Sequence, residues 1–238
     1  MTTPVLAENV KGKGRHYRHP TTGKLIPSVT NVIGSVLAKP ALPRWAAKVV
    51  AEQAVAMRDS LPNLDAAEAV DLLKGAPWRS SGRAANRGTT IHAYLEARLR
   101  GLEPELLEGE ALKYRNAAEA WLDEWQPEVI ETELTVFDAD YAGTGDLWCR
   151  VDGELRIVDF KTSKAIYPEA ALQLAALYGC RDTVDGFAPQ HWDTGEQSLW
   201  AVRIGERSFS SKRVANPEQS LAVFRAMLEV WEWQQDDP

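Results

Sequence analysis

Cysteine is nearly missing from this chain: among 238 residues only Cys149 and Cys180 occur. Two thiols cannot supply a four-thiolate zinc or iron–sulfur site, so both are read as reduced residues of the core. Long hydrophobic runs are missing as well. No stretch approaches the roughly 20 apolar residues that span a bilayer, and the start of the chain lacks the charged-then-apolar pattern of a secretory signal. These absences point to the cytoplasm and to no membrane partner. The phosphate-loop pattern Gly-x-x-x-x-Gly-Lys-Ser/Thr does not occur, so ATP-driven unwinding is not expected of this chain. Positive charge is in short supply too: 27 Lys and Arg stand against 34 Asp and Glu, a net charge of −7. That argues against a surface coated in base for non-specific nucleic-acid binding, but it leaves room for a local basic track.

Two such tracks are present. Lys11, Lys13, Arg15, Arg18 and Lys24 crowd the first 24 residues, and Arg79, Arg83 and Arg87 follow one another at helical spacing. On charge alone, a solvated surface accounts for both. The remaining composition, 45% hydrophobic and 26% charged, is that of a globular protein with a real core. Nine tryptophans are many for this length. Most fall in expected helices or strands, where packing explains them. Trp78 and Trp192 fall in expected loops and are the better candidates for stacking on bases.

Residues 1–10 read as a loose terminus, and 11–26 as short strands around a turn. Helices are expected over 28–37, 43–57 and 65–74, then from Thr89 or Thr90, or as early as Ser81, through Leu99, with 76–87 a loop or the lead-in to that helix. A helix over 110–125 follows. Beyond Pro127 the pattern turns to strand over 129–137 and again around Asp152-Gly153. A helix over 168–181, a loop over 186–195, strands over 198–204 and 208–214, a closing helix over 217–233 and a tail from Gln234 complete the chain. The order implies an α/β (α+β) fold with a mixed sheet of about five strands flanked by helices, behind a helical N-terminal half. The chain is expected to be one domain over 1–238, with 1–80 its helical part and 81–238 its core.

The stretch around which the chain is organised runs from Gly143-Thr-Gly-Asp146 to Val158-Asp159-Phe160-Lys161. Asp-Gly between two β-prone runs is a strong hairpin signal, because a tight type I′ turn needs positive φ. With Asp152 and Gly153 as turn residues, Asp146 comes opposite Asp159. Asp146, Asp159 and Lys161 then share a face. Like charges placed so close repel unless a cation lies beside them, so two carboxylates and a lysine make a plausible metal and phosphate site. On the helix upstream, His92 and Glu96 share a face at four-residue spacing. Glu131 and Glu133 face together on the strand before the hairpin. A solvated edge accounts for that pair as well as a metal site does.

Gly-x-Gly-Asp followed by Asp-x-Lys at the end of an apolar strand resembles the PD-(D/E)xK nuclease superfamily, in its RecB-like exonuclease branch. Gly88-Thr-Thr-Ile-His92 with Glu96 is similar to that branch's Gly-x-x-x-His helix. Tyr17, Pro27-Ser-Val-Thr30 and Leu42-x-x-Trp45-Ala46 resemble its phage-encoded members. The Gln-x-x-x-Tyr pattern is met only by Gln173: the fourth place is Leu177, and Tyr178 comes one residue late, turned by roughly 100°.

The resemblance implies a restriction-endonuclease-like core and a divalent-metal-dependent DNA exonuclease in phage or bacterial recombination, repair or replication. Asp146, Asp159, Lys161 and Gln173 would be catalytic. His92, Asp146 and Asp159, with the Phe160 carbonyl, would hold one or two Mg²⁺ or Mn²⁺. Glu96, Glu133 and Tyr178 would support the site, and Arg83, Arg87 and Lys164 would contact DNA. A single-strand-binding, annealing or helicase protein fits as partner, in a host cytoplasm if the chain is phage-encoded. The four-cysteine iron–sulfur cluster of a related branch is not expected here. The alternatives are a structure-specific endonuclease on the same site and a non-catalytic DNA-binding accessory protein.

Overall fold

Short antiparallel strands open the described part of the chain. The structure is a computed structural model and describes residues 4–236. The outermost residues of both expected loose ends, 1–3 and 237–238, therefore lie outside it. Strands β1 (Ala7–Val10), β2 (Gly14–Arg18) and β3 (Leu25–Pro27) form a three-stranded sheet. The expected loose terminus is thus partly strand, because β1 finds in β2 a partner with which to share its backbone hydrogen bonds. Helix α1 (Val29–Val36) begins at Ser28, whose hydroxyl accepts the Asn31 N–H and so satisfies one of the helix's free first-turn donors.

Residues 38–89 form a compact unit separate from the rest. It contains α2 (Ala41–Ala56) and α3 (Ala66–Lys74), neither of which has a fully buried residue, and the first part of α4 (Ala76–Leu99). Asp65 and Glu68 start α3 with a reciprocal capping box. The stretch 76–87, expected as a loop or the lead-in to a helix, is helical throughout. Pro77 sits in the first turn, where its missing N–H costs nothing, and the alanines and arginines that follow are strong helix formers. Trp78 is therefore a helix residue and not a loop residue, and it is exposed.

The other unit carries the second sheet. After α5 (Arg115–Trp125) come β4 (Glu128–Phe137), β5 (Ala142–Val151) and β6 (Glu154–Lys161). Asp152 and Gly153 turn β5 into β6 with φ of 53° and 82°, the positive pair a type I′ turn needs. Helix α6 (Glu169–Gly179) then carries the chain back, so that β7 (Gln197–Ile204) lies parallel to β6. Strand β8 (Phe209–Arg213) adds antiparallel, and α7 (Pro217–Trp233) closes the chain. The sheet order β4-β5-β6-β7-β8 is a mixed five-stranded sheet flanked by helices, an α+β architecture.

Both faces of this sheet are covered, which explains its near-continuous apolar strands. Trp148, Leu155, Ile157, Leu199 and Ala201 pack with residues of α1, α6 and α7. Leu147, Cys149, Val158, Phe160 and Val202 pack with the end of α4 and with α5. Cys149 and Cys180 are buried free thiols.

The glycines ahead of Asp146 answer to this packing. A Cβ on Gly143 would lie 2.6 Å from Leu177 Cδ2, and one on Gly145 would lie 2.6 Å from Trp148 Cζ3. The Trp148 ring is wholly buried and donates its Nε1–H to Gln190 Oε1 at 2.8 Å, so it cannot yield. Gly145→Ala is therefore expected to lower stability by about 1–3 kcal/mol, and denaturant melts of the metal-free protein measure this.

Candidate active site

The β5–β6 ladder ends at Leu147↔Val158, one pair short of Asp146 and Asp159. The strands part there, so the two carboxylates do not face each other as a ladder pair. The reason lies in the side chain. Asp146 Oδ2 accepts the Phe160 N–H at 2.6 Å, replacing a ladder bond and avoiding the juxtaposition of two like charges. On the other side of β5, the pairs Thr132↔Leu147 and Leu134↔Gly145 bracket Glu133 and Asp146. Glu133 thus stands at Asp146's register position, with φ 52°, a left-handed conformation unusual for a residue other than glycine.

Helix α4 brings His92 to the same place. Its Nδ1 lies 3.3 Å from Asp146 Oδ1, and its ring sits edge-on to Phe160. His92, Glu133 and Asp146 each offer a ligand atom, and the three atoms lie within 4.8 Å of one another. Glu133, one of two readings in the sequence, is therefore part of the cluster, whereas Glu131 is exposed.

Asp159 and Lys161 close a ring with Gln173 of α6. Lys161 Nζ lies 2.6 Å from Asp159 Oδ2 and donates to Gln173 Oε1 at 2.9 Å. Gln173 Nε2 donates to Asp159 Oδ1 at 2.8 Å. A glutamine suits this position because one end accepts from an ammonium while the other donates to a carboxylate.

Burial and mutual charge set the protonation of the cluster. Burial would raise the Asp146 carboxyl, but His92, then Lys161 and the Phe160 N–H, hold it below the usual carboxylate range. Burial works against charge on His92, yet Asp146 and then Asp159 raise its pKa. Lys161 is likewise disfavoured by burial and held above its ordinary value by Asp159 and Asp146. The Asp159 carboxyl is raised, by burial first and against the pull of Lys161. Glu133 is pushed up to about 8, by burial first and then by the charge of Asp146. Two carboxylates and an imidazole, those of Glu133, Asp146 and His92, form a donor set that could hold a metal ion, while both oxygens of Asp159 are engaged by Lys161 and Gln173.

The other sequence candidates divide. Glu96 is buried one turn past His92, accepts from Arg100 Nη1 at 3.2 Å and adds to the negative charge felt by Glu133. Tyr178 packs against the core of α6. Leu177, at the place of the expected tyrosine, covers Gly143 and Gly145. Lys164 is exposed just after β6, and Arg83 is exposed on α4 with Arg87 half-buried one turn later. Trp192 is exposed near the end of the loop after α6. One residue that holds the site in place carried no sequence signal. Buried Gln190 accepts from Trp148 and donates to the carbonyls of Leu177, Tyr178 and Cys180, which ties the end of α6 to β5.

No family model matches this chain, and no curated protein is significantly similar to it. Among solved structures, it is similar to an alkaline exonuclease (LHK-Exo) from Laribacter hongkongensis. The identity is 17% and the TM-score 0.32, over 62% of this chain and 82% of that chain. The same enzyme in complex with dAMP gives 16% and 0.30, over 62% and 82%. The protein SSO0001 gives 14% and 0.31, over 63% and 76%. Likeness this low does not place the chain in a family.

The Glu133 shift has a sign that can be checked. Its folded pKa of about 8 lies above its ordinary 4.5. Between these values the folded state holds more protons than the unfolded one, so its contribution to stability is present at low pH and lost as pH rises through about 8. In EDTA, Glu133→Gln is expected to match wild type near pH 5 and to melt several degrees higher, on the order of 1–2 kcal/mol, near pH 9. Thermal melts across this range measure the crossover.

Proposed function

We propose that the protein is a divalent-metal-dependent DNA exonuclease. The observation that carries this reading is the convergence at the β5–β6 split. Asp146, Asp159 and Lys161 of the hairpin meet His92 from α4 and Gln173 from α6, with Lys161 2.6 Å from Asp159 and His92 3.3 Å from Asp146. These are the residues through which the sequence resembles RecB-like nucleases, and the exonuclease choice comes from that resemblance. The chain is read as one nuclease domain working in phage or bacterial DNA recombination, repair or replication, in the cytoplasm, beside a single-strand-binding, annealing or helicase protein.

His92, Asp146 and Asp159, joined by Glu133, would hold the metal. Bound Mg²⁺ or Mn²⁺ supplies Lewis acidity toward a phosphate oxygen and lowers the pKa of a bound water. The side chains do the rest. Lys161, held as an ammonium by Asp159 and Asp146, stabilises negative charge that develops on the scissile phosphate. Gln173 fixes the Lys161 ammonium and the Asp159 carboxylate against each other, so neither must reorganise as the reaction proceeds. The Phe160 N–H fixes one oxygen of Asp146, which leaves the other beside His92.

End-labelled linear DNA and closed circular DNA, each with Mg²⁺ or Mn²⁺, test the reading directly. Linear DNA is expected to be digested from its ends and circular DNA to survive; nicking of circles would replace the exonuclease with an endonuclease. Asp159→Ala is expected to abolish cleavage while DNA binding partly persists. Hydrolysis by that variant at the wild-type rate would sink the assignment. Lys161→Ala is expected to keep Mn²⁺ binding, read by calorimetry, and to lose about 10²–10³-fold in turnover.

A further inference from the structure

Lys161 has a cationic neighbour in the sheet. In the parallel ladder of β6 and β7 it stands directly beside Arg203. Ladder partners share a face, and alternation puts Arg203 on the face of Ala201, which packs with residues of α6. Lys161 reaches Gln173 of α6 on that same face. Like charges on neighbouring strands repel. The Lys161 charge is answered by Asp159, both of whose oxygens are taken up by Lys161 and Gln173. Among the described residues no carboxylate pairs with Arg203. Two cations side by side, with an anion for only one of them, leave a place for a second anion.

Arg203 is half-buried and held in position. Its Nε donates to the Ser163 carbonyl at 2.8 Å, in the segment that follows β6. Its Nη1 and Nη2 lie against Gly205, 2.7 and 2.9 Å from where a Cβ would stand, so the absent side chain makes room for the guanidinium. A guanidinium tethered through Nε keeps its Nη fork for a phosphate or carboxylate, and little freedom remains to be lost when one binds. The cations continue outward. Ala201 pairs with Lys212 of β8, which places Lys212 on the face of Arg203, and Lys212 is exposed. Lys164, next to the Ser163 that holds Arg203, is exposed as well. A single small anion would need one such group. A row of them suits an anion that repeats, the phosphates of a nucleic-acid strand. Neighbouring strands run about 4.8 Å apart, a spacing that long side chains adjust to the phosphates of consecutive nucleotides.

We propose that Arg203 grips the DNA phosphate next to the one at Lys161, with Lys164 and Lys212 extending the contact along the same strand of DNA. The proposal rests on the nuclease reading above. It gives the site a direction, in which the bound strand leaves Lys161 across β7 toward the edge strand β8. These contacts read phosphate alone, so they carry no preference of sequence.

The test is the binding of end-labelled DNA duplexes, followed by anisotropy in Ca²⁺ over a range of salt concentrations. Arg203→Gln is expected to weaken binding about tenfold and to make the slope of log K against log salt shallower by about one. Arg203→Lys is expected to keep the slope and recover part of the affinity, because it restores the charge without the fork. Position is read with duplexes that carry one neutral methylphosphonate at successive places from the end. In wild type two neighbouring substitutions are expected to weaken binding. One of them is expected to cost nothing further in Arg203→Gln, and the other nothing further in Lys161→Ala. An unchanged salt slope in Arg203→Gln overturns the proposal, and so does coupling of Arg203 to a phosphate not adjacent to the one coupled to Lys161. Mn²⁺ binding by Arg203→Gln, read by calorimetry, is expected at wild-type strength; its loss would show the arginine acting through the metal site and would also overturn the proposal. Failure of the nuclease reading shows separately, as linear DNA left whole by wild type in Mn²⁺.

Discussion

Like charges crowd one spot of this fold, and their arrangement depends on how that repulsion is met. Glu133, Asp146 and Asp159 come from three adjacent strands. In a regular sheet they would stack side by side and repel. Instead each is answered differently. Asp146 turns to the Phe160 N–H and to His92, and Asp159 is pinned by Lys161 and Gln173. Glu133 is pushed up to about 8, by burial first and then by the charge of Asp146. Of the three carboxylates only Asp146 is held below its ordinary range, while burial keeps Asp159 and Glu133 above theirs.

Helix α6 must be placed accurately for this to work, because Gln173 bonds both Asp159 and Lys161. Its seating rests on apolar contacts. Leu177 packs over Gly143 and Gly145, and Trp148 fills the space that a side chain at Gly145 would occupy. Gln190 accepts carbonyls' unmet demand at the far end of α6 by donating to three of them, and it binds the Trp148 indole with its other end. The glycines of the Gly-x-Gly-Asp stretch thus serve packing, and through packing they serve the site.

Much of this was legible in the sequence where one local rule decided the outcome. Asp152-Gly153 fixed the hairpin register, and alternation put Asp159 and Lys161 on one face, where the structure has them bonded to a single glutamine. Legibility ended where two rules competed. Alternation placed Asp146 opposite Asp159, but charge repulsion and the offer of the Phe160 N–H part the strands one pair earlier. Glu133 was readable only as an edge residue, because its left-handed φ follows from tertiary packing and not from any residue type that favours it. Gln190 gave no signal, since a polar residue in a loop becomes a cap only once the loop is folded against α6. The start of α4 was readable only as a loop or a helix entry, because Pro77 and two glycines look like loop punctuation, although proline in a first turn breaks nothing.

The charge distribution bears on how an acidic protein could handle a polyanion. Residues 38–89 hold eight Lys and Arg against five Asp and Glu, while the rest of the chain holds 19 against 29. The net charge of −7 is thus the sum of a basic helical unit and a strongly acidic sheet unit. Part of that acidity is the cluster of Glu133, Asp146 and Asp159 itself. Carboxylates repel phosphate unless a cation lies between them, so on the proposed nuclease reading DNA affinity at the site would depend on metal more than on surface base.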